Sequence, residues 1–349
     1  MKNLPKKKKI IEDLIVNNSS KKAQYVSKEQ IRFFHNIFYS IAKKKLSGLY
    51  IFPLIFLSIT LLVLTIYNVI LKSEIVNLSP TQPPPLNLTS YPYISESLIP
   101  QITAESALIY DDTAKAMLFE KKPLLRFSMA STTKIMTALV ALEHFKPTDL
   151  ITTQKSYTEG VVLGFLPGEQ LLFEDMLYAL LLPSANDAAF IISENYPGGL
   201  ENFVMRMNEK AAELELLYTH YSEPSGLDDD GNYTTIGDLS KLASYALKDE
   251  VFAKIIATKR KVIKSVNLNN TYTLYNLNRL LGENGVIGMK TGYTQGAGEV
   301  LVTTKIEKGH TFIIVVLKSE DRFRDTEILM RYINDNVKFI NPQDYLLKI

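Results

Sequence analysis

Ser131 and Lys134 stand three residues apart at the start of an apolar, helix-forming run, RFSMASTTKIMTALVALEH from Arg126 to His144. On a helix those positions share a face, so the lysine amine can reach the serine oxygen. Ile135, Leu139 and Leu142 form a separate stripe that can hold the helix in a core. A serine hydroxyl at its free pKa is a poor nucleophile and needs a base within hydrogen-bond reach. Lysine can be that base only where burial or a nearby cation pulls its pKa down towards neutrality. At the first turn of a helix, Ser131 would also offer its own backbone N–H to an oxyanion, near the positive end of the dipole.

Alone the pair carries little weight, because Ser19/Lys22 and Ser40/Lys43 repeat its spacing in a basic tail. Two further elements change the balance. Ser184-Ala185-Asn186 follows Ser131 by 53 residues, and Lys290-Thr291-Gly292 follows Ser184 by 106. Each is cheap by itself: Ser265-Val266-Asn267 is a second S-x-N. Ser184 reads equally as a helix cap, Asn186 as a turn residue and Lys290 as a surface strand lysine. Those separate roles do not account for the ordered set S-x-x-K, S-x-N and K-T-G, each in the fitting kind of element. In the last of them the lysine supplies a fixed cation, the threonine a hydroxyl donor, and the glycine lets a substrate backbone lie close to the strand.

The elements that must position these residues follow from the surrounding pattern. Ser106 to Asp111 and Lys115 to Glu120 are apolar-rich runs separated by Asp112-Thr113-Ala114, a β-hairpin signal. Phe173 to Leu182 reads as a buried helix stopped by Pro183, and Asp187 to Tyr196 as the next one. Gly288 to Thr294, Glu299 to Ile306 and Thr311 to Leu317 are strand-like, and Arg324 to Asn336 closes the chain as a helix. Early strands, a helical middle and late strands predict one sheet whose first and last strands meet, with a helical lobe inserted.

Upstream the chain has another character. Residues 1–45 hold 12 Lys/Arg against 3 Asp/Glu, although the whole chain of 349 residues is only +2, so the basic charge is a tail and not the body. Nothing there points to nucleic acid. From Lys28 to Leu46, Ile31, Phe34, Phe38 and Ile41 recur at helical spacing among cations, as an interfacial helix or the start of a longer one would require. Leu49 to Leu71 is 23 residues without a charge, which as a helix reaches roughly 34 Å against a hydrocarbon core of about 30 Å. Lys43 to Lys45 before it, against Lys72 after it, put the N-terminus in the cytoplasm and the rest outside. Residues 72–102 are rich in proline, an extended spacer. The expected organisation is a cytoplasmic tail over 1–48, a single-pass membrane anchor over 49–71, a linker over 72–102 and an extracytoplasmic catalytic domain over 103–349. With no cysteine there is no disulfide framework or thiolate zinc site, and the four histidines show no metal-ligand spacing, so neither metal nor cofactor is expected.

MASTTKIMTA, PGEQLLFEDMLYALLLPSANDAA, EPSGLDDDGNYTT and GMKTGYTQGAGEVLV closely resemble the low-molecular-mass D-alanyl-D-alanine carboxypeptidases, the S11 serine peptidase family. The resemblance covers roughly residues 103 to 335. It implies an α/β, β-lactamase/penicillin-binding-protein-like transpeptidase fold: a mainly antiparallel sheet flanked by helices, with an all-helical region. It implies Ser131 as the acylated serine, Lys134 as its base and Ser184 as a proton shuttle. By the same likeness Asn186 holds the substrate amide, Lys290 and Thr291 with Gly292 bind the terminal carboxylate, and the backbone N–H groups of Ser131 and Tyr293 form the oxyanion hole. Arg322-Phe323 and Asp325 match the family's late R-F-x-D segment, read here as structural. The implied partners are peptidoglycan stem peptides and β-lactam antibiotics as covalent inhibitors, with membrane lipid around the N-terminal anchor. No E-x-x-L-N follows Ser184-Ala185-Asn186, so a deacylating carboxylate of the class A β-lactamase type is missing and a long-lived penicillin adduct is expected. Cleavage of cross-links by an endopeptidase, or a receptor of the same fold that is acylated without turnover, are the alternatives.

Overall fold

The computed structural model describes residue 39 and residues 51–77, 90–95, 99–227 and 230–340, in two compact units, Met1–Leu86 and Asn87–Ile349. In the first unit α1 (Ile51–Asn77) is a helix of 27 residues. Its described side chains, at 53 and 55–68, are all exposed. Ser58, Thr60, Thr65 and Asn68 each donate to a carbonyl three or four residues back, at 2.7–2.9 Å. Among the described residues no helix is long and apolar enough to cross a membrane. The stretch of α1 whose side chains are described is itself shorter than the ~20 residues that a span takes. The expected basic tail, except Tyr39, and residues 78–89 and 96–98 of the expected linker lie outside the described residues, while residues 72–77, expected to open that linker, continue α1.

The second unit runs through β1 (Tyr91–Ile94), β2 (Ser106–Asp111), β3 (Ala116–Lys121), α2 (Thr133–His144), α3 (Phe173–Leu181), α4 (Asn186–Asn195), α5 (Gly199–Glu213), α6 (Ile236–Ala246) and α7 (Glu250–Ile256). It ends with β4 (Val286–Thr294), β5 (Gly298–Glu307), β6 (His310–Ser319), α8 (Arg322–Asn336) and β7 (Val337–Ile340). Five strands form the central antiparallel sheet in the order β4-β5-β6-β2-β3, so the early hairpin does meet the late strands. The β5–β6 turn uses Lys308 and Gly309, both at positive φ, the backbone that matches the twist of a tight hairpin.

The apolar run in β6 explains the layering. Side chains alternate across a strand, so Ile313, Val315 and Leu317 join a core with the helical lobe, including Ile135, Met176 and Leu239. Phe312, Ile314 and Val316 face the other way and pack with Leu329, Met330 and Ile333 of α8. A strand buried on both faces reads as a continuous hydrophobic stretch, as TFIIVVL does. Tyr91–Ile94, in the stretch whose proline content predicts a spacer, is a strand paired antiparallel with Val337–Ile340. Pro92 fits because a two-stranded edge does not need its missing donor.

Candidate active site

Three elements converge where β4 passes the start of α2. Ser131 lies in a 3₁₀ turn, Ala130–Thr132, that runs straight into α2, and not in the α-helix itself as the spacing predicts. The three-residue separation still serves: Lys134 Nζ is 3.0 Å from Ser131 Oγ. Lys134 reaches back into two other segments, donating to Asn186 Oδ1 at 2.7 Å and to the Ser225 carbonyl at 2.5 Å. Asn186 opens α4, and its amide donates to the Glu159 carbonyl at 3.2 Å while its backbone N–H donates to the Val161 carbonyl. Gly160 sits behind that amide at φ +69, and a Cβ there would lie 2.1 Å from Asn186 Nδ2. The turn can therefore close on Asn186 only as glycine.

Lys134 is completely buried, and burial pulls its pKa down from the ordinary lysine value to about 7, against the opposing pull of Glu223 and Asp187. A neutral amine has two N–H bonds and one lone pair. The Asn186 and Ser225 oxygens take the two N–H bonds, which leaves the lone pair facing the Ser131 hydroxyl. That is the arrangement a general base requires.

Pro183 ends the α3 segment, and Ser184 then takes a left-handed backbone, φ 65, with its side chain buried. Its hydroxyl has no hydrogen-bond partner among the described residues. A strained backbone together with an orphaned buried hydroxyl is costly, and such costs concentrate where the surrounding structure holds a group for use. Ala130, next to the nucleophile, is also at positive φ.

The K-T-G residues lie in β4, with Lys290 opposite Val302 and Gly292 opposite Val300. Gly292 is used otherwise than its motif suggests. A Cβ there would come within 3.0 Å of both Ser131 N and Ala130 Cβ, so its bare face admits the nucleophile turn and not only a substrate. Lys290, 1% exposed, donates to the Thr291 carbonyl at 2.9 Å. Its pKa is well below the ordinary value, through burial first and then through Lys134 and Arg322. Arg322 donates from Nη1 to the Gly292 carbonyl at 2.6 Å, while its Nε is buried without a partner among the described residues. Three basic groups, Lys134, Lys290 and Arg322, thus converge around β4, and an anion between them would favour their protonated forms. Tyr293, one residue on, is 64% exposed.

Every predicted site residue therefore sits in one region, Ser131, Lys134 and Asn186 in direct contact. The second S-x-N is a scaffold: Asn267 accepts from Gln170 N–H at 3.0 Å and donates to the Gly168 carbonyl. Two contributors escaped the motif reading. The Ser225 carbonyl is a backbone group 91 residues from Lys134, and no local pattern marks it. Arg322 belongs to the R-F-x-D segment, but its contact with β4 depends on where α8 begins. Asp325 of that segment is structural, accepting from Thr103 N–H, Thr103 Oγ, Ala104 N–H and Ser319 Oγ at 2.6–2.9 Å.

An antiparallel sheet with a helical lobe, and a serine–lysine pair at their junction, define a penicillin-binding-protein-like serine peptidase. Residues 94–321 match the family described as D-alanyl-D-alanine carboxypeptidase, Peptidase S11, and the chain belongs to that family. It is 33% identical to the D-alanyl-D-alanine carboxypeptidase DacF of Bacillus subtilis over 61% of this chain and 57% of that protein. It is 32% identical to the carboxypeptidase of Streptomyces sp. strain K15 over 67% of this chain and 88% of that one. A D-alanyl-D-alanine endopeptidase of Pseudomonas aeruginosa is 32% identical over 62% of this chain and 72% of its own length. The Streptomyces K15 DD-transpeptidase structure superposes with a TM-score of 0.64 at 32% identity, covering 67% of this chain and 98% of that one.

Proposed function

We propose that the protein is a membrane-anchored serine D-Ala-D-Ala carboxypeptidase that removes the terminal D-alanine from peptidoglycan stem peptides through an acyl-enzyme on Ser131. The observation that carries this reading is the Lys134 amine, 3.0 Å from Ser131 Oγ and buried so that its pKa falls to about 7. Ser131 Oγ attacks the carbonyl of the penultimate D-alanine as its proton passes to Lys134, and the oxyanion forms against the Ser131 and Tyr293 N–H groups. The C–N bond breaks, and the leaving amine takes a proton returned through Lys134 and the Ser184 hydroxyl. Water then attacks the ester and restores Ser131. Asn186 holds the substrate amide, and Lys290 with Thr291, beside Gly292, holds the terminal carboxylate. Arg322 adds a cation to that end of the cleft. β-Lactams acylate the same serine.

The anchor reading rests on the uncharged run Leu49 to Leu71 and on Ser58, Thr60, Thr65 and Asn68, each of which donates to a carbonyl of its own helix and so loses less on leaving water. Protease added outside sealed cells should remove the catalytic unit and spare the basic tail; full protection of residues 104–349 would reverse the orientation. Endopeptidase action is the second reading, because relatives of similar identity carry that name. The deciding assay incubates full-length protein in detergent with a free pentapeptide and with a cross-linked dimer. Released D-alanine that disappears in Ser131→Ala supports the carboxypeptidase, equal rates on the two substrates favour the endopeptidase, and acylation by penicillin without D-alanine release favours a receptor.

A further inference from the structure

The loop that supplies the Ser225 carbonyl is built around one side chain. Glu223 Oε2 accepts from the Ser225 N–H at 2.7 Å and from its hydroxyl at 2.5 Å. Oε1 accepts from the Gly226 N–H, from the Leu227 N–H at 2.9 Å and from Asn232 Nδ2 at 2.5 Å. Five donors on one carboxylate is more than a surface loop needs. The ring they close is pressed against the nucleophile segment. A Cβ on Gly226 would lie 1.9 Å from the Ala130 carbonyl oxygen, the Pro224 carbonyl accepts from Thr137 Oγ1 at 2.6 Å, and Met129 N–H donates to the Asn232 carbonyl. The result is a fixed carbonyl at Ser225, 2.5 Å from Lys134 Nζ.

We propose that Glu223 is a positioning residue for the reaction: its carboxylate folds the 222–227 loop so that the Ser225 carbonyl takes one N–H of Lys134, and it sets a negative charge within reach of that amine. The inference rests on reading Lys134 as the base for Ser131. Two opposing influences act on Lys134. Burial disfavours its ammonium form, while Glu223 from the loop and Asp187 from α4 favour it, and Lys290 from β4, itself pushed down by burial and then by Lys134, is the basic group on the facing strand. Of the two carboxylates Glu223 exerts the larger pull, and Asp187 holds the Leu163 and Gly164 N–H groups, each at 2.9 Å. Glu223 therefore offsets part of the burial effect and keeps the Lys134 transition near neutral pH, where a base is most useful.

The two roles separate by experiment. Acylation of the full-length protein by a fluorescent penicillin is measured from pH 5 to 10, the range being chosen to bracket the Lys134 transition, for wild type, Glu223→Gln, Glu223→Asp and Asn232→Ala. Wild type should lose acylation as pH falls through about 7, because Lys134 gains its proton there. Glu223→Gln removes the charge, so the acidic limb should move down by about half a pH unit or more, with the plateau rate ~10- to 100-fold lower as the carbonyl loosens. Glu223→Asp and Asn232→Ala keep the charge and loosen the loop, so both should lose plateau rate with the limb where wild type has it. A limb that stays fixed in Glu223→Gln, or shifts equally in Asn232→Ala, overturns the proposal. Should Glu223→Gln fail to fold, Glu223→Asp decides: a displaced limb there overturns it. A wild type with no acidic limb would take down the reading of Lys134 itself, a different failure from a limb shared by wild type and Glu223→Gln.

Discussion

Two charged groups are buried against opposite faces of one sheet, and they are treated in opposite ways. Asp325, under α8, accepts four hydrogen bonds from Thr103, Ala104 and Ser319. Burial pushes its pKa up, but those donors outweigh it and hold the carboxyl below its usual range. Lys134, on the helical-lobe face, has three oxygens within 3.0 Å, yet burial still pulls its pKa down to about 7. The environment of Asp325 selects the charged form; that of Lys134 leaves charged and neutral forms balanced. A fixed charge staples elements together, whereas a balanced one can pass a proton.

The largest effect should fall on the balanced side. Lys134→Ala removes the base while leaving the fold and Ser131 in place, so penicillin acylation should drop by ~10²–10⁴-fold, read as the rate of covalent adduct formation. Unfolding by urea should change far less. A variant that is acylated at a near-normal rate would end the comparison, since the amine would then be a staple too.

On the fixed side the same deletion should act on stability. Asp325→Ala orphans two backbone N–H groups and two hydroxyls, and should cost about 3 kcal/mol or more, while Asp325→Asn keeps part of the set and should cost about 2 kcal/mol. The pH dependence has a definite sign. Because the folded pKa is depressed, the contribution is complete above the unfolded carboxyl value of roughly 4 and is lost as pH falls through the folded value. The gap between wild type and Asp325→Asn in urea titrations should therefore narrow in acid. A gap that widens in acid would contradict the assignment.

Much of this was readable in the chain because it depends on short-range pattern. The three motifs name their residues, and alternation or helical spacing around them gives β4 to β6, α2 and α8 within a residue or two. What was not readable depends on topology. The Ser225 carbonyl and the Arg322 guanidinium reach the site from segments far away in sequence, and both interact through backbone groups that carry no residue signature. Pro92 hid β1, because a proline argues against a strand unless its partner is known. Gly292 was assigned to a substrate, but its empty side faces the Ala130–Ser131 backbone, a contact that only packing reveals.

A second contrast lies within the cleft. Lys290 is buried like Lys134, but the groups facing it, Lys134 and Arg322, are both basic, so a bound carboxylate would complete it. A charge-assisted hydrogen bond of that kind contributes roughly 1.5–3 kcal/mol. A substrate amidated at its C-terminus should accordingly be cleaved about 10- to 100-fold less efficiently than the free acid. Lys290→Ala should shrink that ratio, measured as kcat/KM for the two peptides; an unchanged ratio would move carboxylate recognition elsewhere, with Arg322 the next candidate.

The smallest effects come from two hydroxyls, and they should have opposite signs. Thr235 caps α6, its Oγ1 accepting from the Asp238 N–H at 3.2 Å, so Thr235→Ala should lower stability by ~1 kcal/mol and leave acylation as it was. Ser184 has a left-handed backbone and a hydroxyl without a partner among the described residues. Glycine adopts that backbone freely, so Ser184→Gly should raise stability by ~0.5–1.5 kcal/mol while slowing turnover of the peptide. The reasoning is the same as for the two buried charges: a group that already has its partners supports the fold, and one held without them waits for a substrate. A Ser184→Gly protein that is less stable than wild type would mean that the hydroxyl has a structural partner after all, and that Ser184 belongs with Asp325 and not with Lys134.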